Sequence, residues 1–304
     1  MAFSGIDTTV ISFVLTFACS GTENAGVIER VTARVKININ ARIFDWFTSS
    51  ASQNENLTIT TNDNLIDYTL TSIIIRILKA LILEQYFVIM EISVDQMYQI
   101  ENNGHAMGFL KKFMMENAGA VAVRRLIEEF GDVESKNILI FVGMGNNGGD
   151  GLVMARHLAG YDAHVFVCLL GSPEKIKTEE SKWNWSILEK MPSVKLLEGD
   201  NLNFDFTPDV IVDGILGTGI SGEIREPYAS AMNYINNTDC FKLAVDVPSG
   251  LDPQTGETAN IFVNANMTVT FHKMKQGIPK RKDLTGKLFA EKIGIPPEAE
   301  DGVL

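Results

Sequence analysis

The stretch Gly143-Met-Gly-Asn-Asn-Gly-Gly-Asp-Gly151 puts five glycines, two asparagines and one aspartate into nine positions. An apolar run, Asn137-Ile-Leu-Ile-Phe-Val142, precedes it, and a helix-like segment, Leu152-Val-Met-Ala-Arg-His-Leu158, follows. Strand, glycine-rich turn and helix in that order leave few folds open. Glycines let the backbone turn tightly and let a ligand approach the main chain. The helix that follows offers unpaired N–H groups to an anion. A phosphate-bearing small molecule is therefore the expected ligand.

The spelling of the turn excludes two common phosphate binders. It contains G-x-G-x-x-G, a weak signal by itself. A usual dinucleotide fold adds an acid at the end of the next strand. Here that strand, His164-Val-Phe-Val-Cys-Leu-Leu170, runs into Gly171-Ser172-Pro173, and Glu174 is the nearest acid. The lysine of a P-loop is also missing. In its place stand Asn146, Asn147 and Asp150, whose side chains can hydrogen-bond or ligate a hard cation.

Downstream, apolar runs and helical patterns alternate. Strands are expected at 137–142, 164–170, 194–197, 209–213, 241–246 and 267–271, with an edge element at 286–293. Helices are expected at 93–102, 107–130, 151–160, 178–189 and 227–235. The spacing of Ser93 and Gln96 also allows a capping box. This alternation argues an α/β fold: a doubly wound, mostly parallel sheet with helices on both faces, a Rossmann-like three-layer sandwich. Ligands of such sheets bind beyond the carboxyl ends of the strands. Three polar loops start at that edge, after Val142, at Asp213 and at Asp246. Asp213 and Asp246 each close an aliphatic run, which suits a site better than a core.

The first part of the chain is different. All nine prolines lie at or after Pro173, and residues 1–89 hold only three glycines, Gly5, Gly21 and Gly26. The apolar run Thr9–Cys19 lacks the basic flank and cleavage site of a signal peptide. The run 73–90 is broken by Arg76, Lys79 and Glu84, which makes it a poor membrane span and a better amphipathic helix. Residues 1–89 are expected to be an N-terminal extension, poorly ordered or absent from the native protein, and 90–304 the functional domain, with Met90 as its start. The net charge of −12 disfavours nucleic acid and anionic membrane as partners. Cys19, Cys168 and Cys240 form neither a zinc spacing nor a disulfide framework, so a cytoplasmic setting is expected.

Together these motifs resemble the NAD(P)H-hydrate epimerase family, the YjeF N-terminal domain family. The matching pieces are Met115-Glu-Asn-Ala-Gly119, Gly145-Asn-Asn-Gly-Gly-Asp-Gly151 with Ala155-Arg-His-Leu158, Val212-Asp-Gly-Ile-Leu-Gly217, Asp246-Val-Pro-Ser-Gly-Leu-Asp252, and Thr268-Val-Thr-Phe271 followed by Lys275 and Gly277. They occur in family order and span nearly all of 90–304. The resemblance implies an isomerase of metabolite repair that interconverts the R and S forms of hydrated NADH and NADPH. A separate dehydratase would then restore the cofactor, and the assembly could be a homodimer. It further implies that Asn146, Asn147, Gly148, Gly149, Asp150, Gly217, Thr218, Gly219, Ile220, Ser221, Gly222, Glu223 and Asp246, with Tyr228, bind the substrate. A potassium ion is implied at Asn147, Asp213 and Ser249, a set of hard oxygen donors.

The substrate carbon carries a hydroxyl and the ring nitrogen, so it is a carbinolamine. Inversion runs through loss of water to an iminium or through ring opening, and both need a group that moves a proton. Asp213 is the first choice for that group. Lys275 either supplies positive charge to the site or is one more surface lysine of a basic run. His157 is expected to pack, and His272, at a strand end, is a lesser candidate. Glu116 and Asn117 are expected on a solvated face. The alternative to an enzyme is a non-catalytic nucleotide-binding or scaffold module on the same fold; the intact turn and Asp213 speak against it.

Overall fold

The computed structural model describes residues 9–19, 29–39, 91–199, 202–219 and 222–304. Within the segment expected to be an extension, β1 (Thr9–Cys19) and β2 (Glu29–Ile39) pair antiparallel, Thr9 opposite Ile39. They fall in a compact unit of their own, Met1–Thr71. The helix expected over 73–90 lies outside the described residues.

In the second unit, Ser72–Leu304, the first described elements are β3 (Glu91–Ile92), α1 (Val94–Ala106) and α2 (Lys111–Phe130). Then come β4 (Asn137–Val142), α3 (Asn146–Ala159), β5 (His164–Leu169), α4 (Glu179–Leu188) and β6 (Val194–Glu198). The chain continues with β7 (Val210–Gly214), α5 (Tyr228–Asn237), β8 (Phe241–Val245) and β9 (Met267–Phe271). It ends with β10 (Met274–Lys275), a short α6 (Lys282–Thr285) and β11 (Lys287–Glu291).

Seven strands form one parallel sheet in the order β11-β9-β8-β7-β4-β5-β6. Alternate residues of β4 enter two different cores, as a pleated strand requires. Ile138, Ile140 and Val142 join Ala122, Leu126 and Leu152 of α2 and α3 on one face. Leu139 and Phe141 join Ala231, Met232 and Ile235 of α5 on the other. Burial on both faces is why these strands read as unbroken aliphatic runs. The expected three-layer α/β sandwich is the observed one.

From β4 the chain winds outward through β5 to β6, then returns to β7 on the other side of β4 and winds away through β8 and β9. The order therefore reverses between β4 and β7, which makes their carboxyl ends the switch point where such sheets bind ligands.

One expectation needs correcting there. Residues 146–150, read as a turn, are the start of α3, whose N-cap is Gly145. The glycines are used for packing. A Cβ on Gly148 would sit 2.1 Å from the Gly143 carbonyl oxygen, and one on Gly143 would sit 1.9 Å from that of Ile215. Stripped of side chains, the helix start lies directly on the ends of β4 and β7. That contact overrides the poor helix propensity of glycine. Asp150 consequently falls in the second helical turn.

The helix expected over 107–130 begins at Lys111, because Gly108 takes φ 98° and turns the chain out of α1. The capping box forms as expected. Ser93 Oγ accepts from Gln96 N at 3.0 Å, and Ser93 N donates to Gln96 Oε1 at 2.8 Å.

Candidate functional site

A cavity of about 360 Å³ opens over the carboxyl ends of β4, β7 and β8, a size suited to a small-molecule ligand. Its floor is the start of α3 (Gly145, Asn146, Asn147, Asp150) and the strand-end residues Ile215, Leu216, Asp246 and Phe271. Val94, Met97, Tyr98 and Glu101 of α1 and Lys111, Met114 and Met115 of α2 build another wall. Gly217, Thr218, Gly219 and Tyr228 form the side, with Lys177 and Thr178 also in the lining.

The start of α3 leaves its first amides outside the helical ladder. Gly149 N donates to Gly145 O at 3.2 Å, the first bond of the α3 ladder. The amides of Asn146, Asn147 and Gly148 precede it and are those a helix terminus offers to an anion. Tyr98 and Thr218 share a 2.8 Å hydrogen bond that ties α1 to the loop after β7.

Asp213, next to last in β7, does not line the cavity. It is 1% exposed, below the floor. Its Oδ1 accepts from Ser249 Oγ at 2.6 Å and Ile215 N at 3.2 Å, and its Oδ2 accepts from Ser249 N at 2.8 Å. Burial raises its pKa to about 6 against the opposing pull of the Ser249 hydrogen bonds. Next to it, Asn147 Nδ2 donates to Leu216 O at 3.1 Å, while Asn147 Oδ1 is buried with no hydrogen-bond partner. A buried acceptor left bare is costly unless something fills it. Leu216 O links Asn147 to Ser249, whose Oγ bonds Asp213, so the Asn147 amide oxygen, the Ser249 hydroxyl and the Asp213 carboxylate offer hard oxygen donors in one neighbourhood. These residues fit a monovalent or other hard cation.

The cavity's own chemistry centres on Asp246 and Lys275. Lys275 is 2% exposed, so the surface-lysine reading does not hold for it. Its Nζ lies 2.5 Å from Asp246 Oδ1 and also donates to Thr270 Oγ1 at 2.9 Å and Phe271 O at 3.2 Å. Asp246 Oδ1 further accepts from Thr270 Oγ1 at 2.8 Å and from Phe271 N at 3.2 Å. All of these bonds fall on Oδ1, which leaves Oδ2 uncommitted. Asp246 has φ 62°, a left-handed backbone unusual for a side-chain-bearing residue. Such outliers persist where the surroundings over-determine them, often at sites. Here Asp246 N donates to Val269 O at 2.8 Å and holds the turn.

Two further carboxyls share the cavity. Desolvation, reinforced by Asp246 and Glu101, drives the Asp150 carboxyl well above the usual range. Desolvation also raises Glu101, against the attraction of Lys275.

The other expected residues fall as follows. Gly148 and Gly149 face packing partners rather than the cavity, Gly149 against Met115 and Ser181. Gly222 and Glu223 are exposed and outside the lining. Ile220 and Ser221 lie outside the described residues. Glu116 ion-pairs with Arg156 and with His157, at 2.8 Å from the latter, and Asn117 Nδ2 donates to Ile293 O. Glu116, Asn117, Arg156 and His157 do not line the site.

His272 is also outside it, buried 3.0 Å from Glu300 Oε1. Burial, aided by Lys292, pushes its pKa down to about 4. The unfolded chain therefore binds a proton near pH 6.5 that the folded chain refuses until about pH 4. Stability should be full above pH 6.5 and fall as pH drops toward 4. Thermal midpoints at pH 7 and pH 5 should differ, and less so in His272→Gln.

Sequence reasoning missed Glu101, Tyr98, Lys111 and Lys177. Glu101 had a signal: it lies one turn after Met97 and beside Ile100, both buried, so it interrupts the inward stripe of α1.

The family model described as YjeF-related protein N-terminus matches residues 111–277. The protein named NAD(P)H-hydrate epimerase of Nitrosopumilus maritimus (strain SCM1) is 84% identical over 215 residues, covering 71% of this chain and 100% of that protein. The Bifunctional NAD(P)H-hydrate repair enzyme Nnr of Methanothermobacter thermautotrophicus is 45% identical over 207 residues, which are 65% of this chain and 39% of that protein. Among solved structures, "Crystal structure of yeast ynu0, YNL200c" matches with a TM-score of 0.50 and 27% identity, over 57% of this chain and 75% of that one. The motifs at the switch point, the matched span and these relatives agree, and the chain belongs to the YjeF-related N-terminal domain family.

Proposed function

We propose that this protein, through residues 90–304, interconverts the R and S epimers of hydrated NADH and NADPH. The observation that carries the reading is the Asp246–Lys275 pair, which lies beyond the carboxyl ends of β8 and β9 and lines the same cavity as the start of α3. A module that only binds nucleotides has no evident use for that pair. The 84% identical relative named for this activity supports the same conclusion.

The chemistry follows from the placement. The diphosphate lies at the start of α3, near the amides of Asn146 and Asn147 and the 217–219 backbone. The carbinolamine reaches Asp246. Asp246 Oδ2 exchanges a proton with the substrate hydroxyl, and Lys275 holds the carboxylate in place through Oδ1. Proton transfer of this kind contributes about 100- to 10,000-fold. Asp213, below the floor, serves the ion site with Asn147 and Ser249 rather than the proton. A potassium ion there would supply fixed positive charge under the phosphate end and would brace the 214–217 loop against α3.

The reading includes a separate dehydratase that completes the repair, and a homodimer in a cytoplasmic setting. Among the described residues, no helix is long and apolar enough to cross a membrane.

Two experiments test it. The protein is mixed with the R hydrate of NADH and an S-specific dehydratase, and recovery of NADH absorbance is followed. Recovery faster than the enzyme-free control is expected; equal rates would remove the catalytic reading. Separately, potassium should raise the thermal midpoint relative to choline, by about 2.7 kcal/mol of stability at 100 times its Kd. Asn147→Ala should abolish that difference. A potassium effect that survives in Asn147→Ala would place the ion elsewhere.

A further inference from the structure

Inverting a carbon through a planar cation takes two acts of proton transfer. The hydroxyl leaves one face as water, having taken a proton. A water then adds to the other face and gives a proton up. One carboxylate fixed to one wall serves one face well. We propose that Glu101 is the second proton-handling catalytic residue, working from the α1 wall while Asp246 works from the strand-end wall. The proposal rests on the epimerase reading above.

Three observations carry it. Glu101 lines the same cavity as Asp246 and Lys275 but comes from a different element. No hydrogen bond or ion pair among the described residues engages its carboxylate, whereas the neighbouring acid Asp246 is held by three donors. A half-buried carboxyl without a protein partner is open to a ligand.

The third observation is rigidity. Leading into α1, β3 pairs in parallel with β10, Ile92 opposite Lys275 itself. Val94 N donates to Gln254 Oε1 at 2.8 Å, in the loop that follows Asp246. Gln96 Nε2 and Asn103 Nδ2 donate to Val303 O and Ala299 O, at 3.1 and 3.0 Å. The helix that bears Glu101 is thus tied directly to the strand that bears Lys275, which fixes the two carboxyls in one frame. Catalytic groups need such support to hold their geometry.

The step balances. One carboxyl, protonated, gives its proton to the hydroxyl oxygen. The C–O bond breaks, water departs, and the ring-nitrogen lone pair forms the C=N bond of the iminium. A water attacks the opposite face, the C=N electrons return to nitrogen, and the second carboxylate takes the proton. The two carboxyls have exchanged protonation states, and proton exchange with solvent water, one carboxyl releasing its proton and the other taking one up, resets them for the next turnover. Glu101 suits this exchange because burial raises its pKa toward the working range. The charges that bear on it are Lys275 and Lys111, which favour the carboxylate, and Asp246, which favours the acid. Asp150 is coupled to the same cluster.

The test uses the full chain and a single purified epimer, with the other epimer quantified by chromatography. Glu101→Gln should lower kcat at least about 100-fold, with KM within threefold and the thermal midpoint retained. Its pH profile should lose one limb of the wild-type curve, and Glu101→Asp should recover part of kcat. Asp150→Asn, by contrast, should act on KM, because Asp150 lines the cavity from α3 as a substrate-binding residue. In oxygen-18 water, the wild type should place label in the product epimer. A kcat for Glu101→Gln within threefold of wild type, a loss confined to KM, or a product without label would overturn the proposal. If Glu101→Gln fails to fold, the kcat and pH limb of Glu101→Asp decide, and an unchanged limb overturns it. A wild type that does not epimerise at all refutes the functional reading instead.

Discussion

Asp246→Asn lowers kcat for epimer interconversion by about 100- to 10,000-fold per folded molecule, because it removes the carboxylate that exchanges the proton. It also destabilises the fold. Lys275 is 2% exposed, and its ammonium would face a neutral amide in place of a carboxylate, with Thr270 Oγ1 and Phe271 O as its other acceptors. Breaking a buried pair by removing one partner costs about 3–5 kcal/mol, since the remaining charge is left uncompensated. Removing both charges is far gentler. The double variant Asp246→Asn with Lys275→Met should recover most of the lost stability and none of the activity. Unfolding in denaturant and single-epimer kinetics on the same preparations measure the two quantities. Recovery of activity in the double variant would show that Asp246 acts through the fold and not on the substrate.

The second large effect is on folding. Gly148→Ala should cost about 3 kcal/mol or more, at the upper end for overpacking. The added Cβ would sit 2.1 Å from the Gly143 carbonyl oxygen and 2.9 Å from its carbon. Both are backbone atoms at the end of the central strand β4, so no side chain can swing aside. Gly145→Ala, two residues after Gly143, is the control, because nothing lies within 4 Å of a Cβ there. Its effect on stability should stay below about 1 kcal/mol. Equal thermal midpoints for the two variants would contradict the close packing of α3 on the strand ends.

The strands were readable from sequence because burial on both faces turns each into an aliphatic run. β4 and β9 fall at their expected bounds. The start of α3 was not readable. Glycine signals a turn locally, and only the approach of Gly148 to Gly143 across the switch point makes a helix there the better solution.

The candidate site divides the same way. Asp213 and Asp246 look alike in sequence, each an acid after an aliphatic strand. What separates them is tertiary: Ser249 covers the first, and Lys275 braces the second at the cavity. Lys275 lies in a run of basic residues, and only its pairing with Asp246 shows that it is buried. Glu101 belongs to no loop or motif; it reaches the cavity because β3 and β10 bring α1 over the strand ends.

Epimer interconversion can be followed without any coupling enzyme. One purified epimer of hydrated NADH is incubated with the protein in potassium buffer, and the two epimers are resolved over time. The account predicts rapid approach to the R/S equilibrium from either epimer, with the same final ratio and a strong loss in Asp246→Asn. A single epimer that converts no faster than in buffer, with folded protein present, would contradict it.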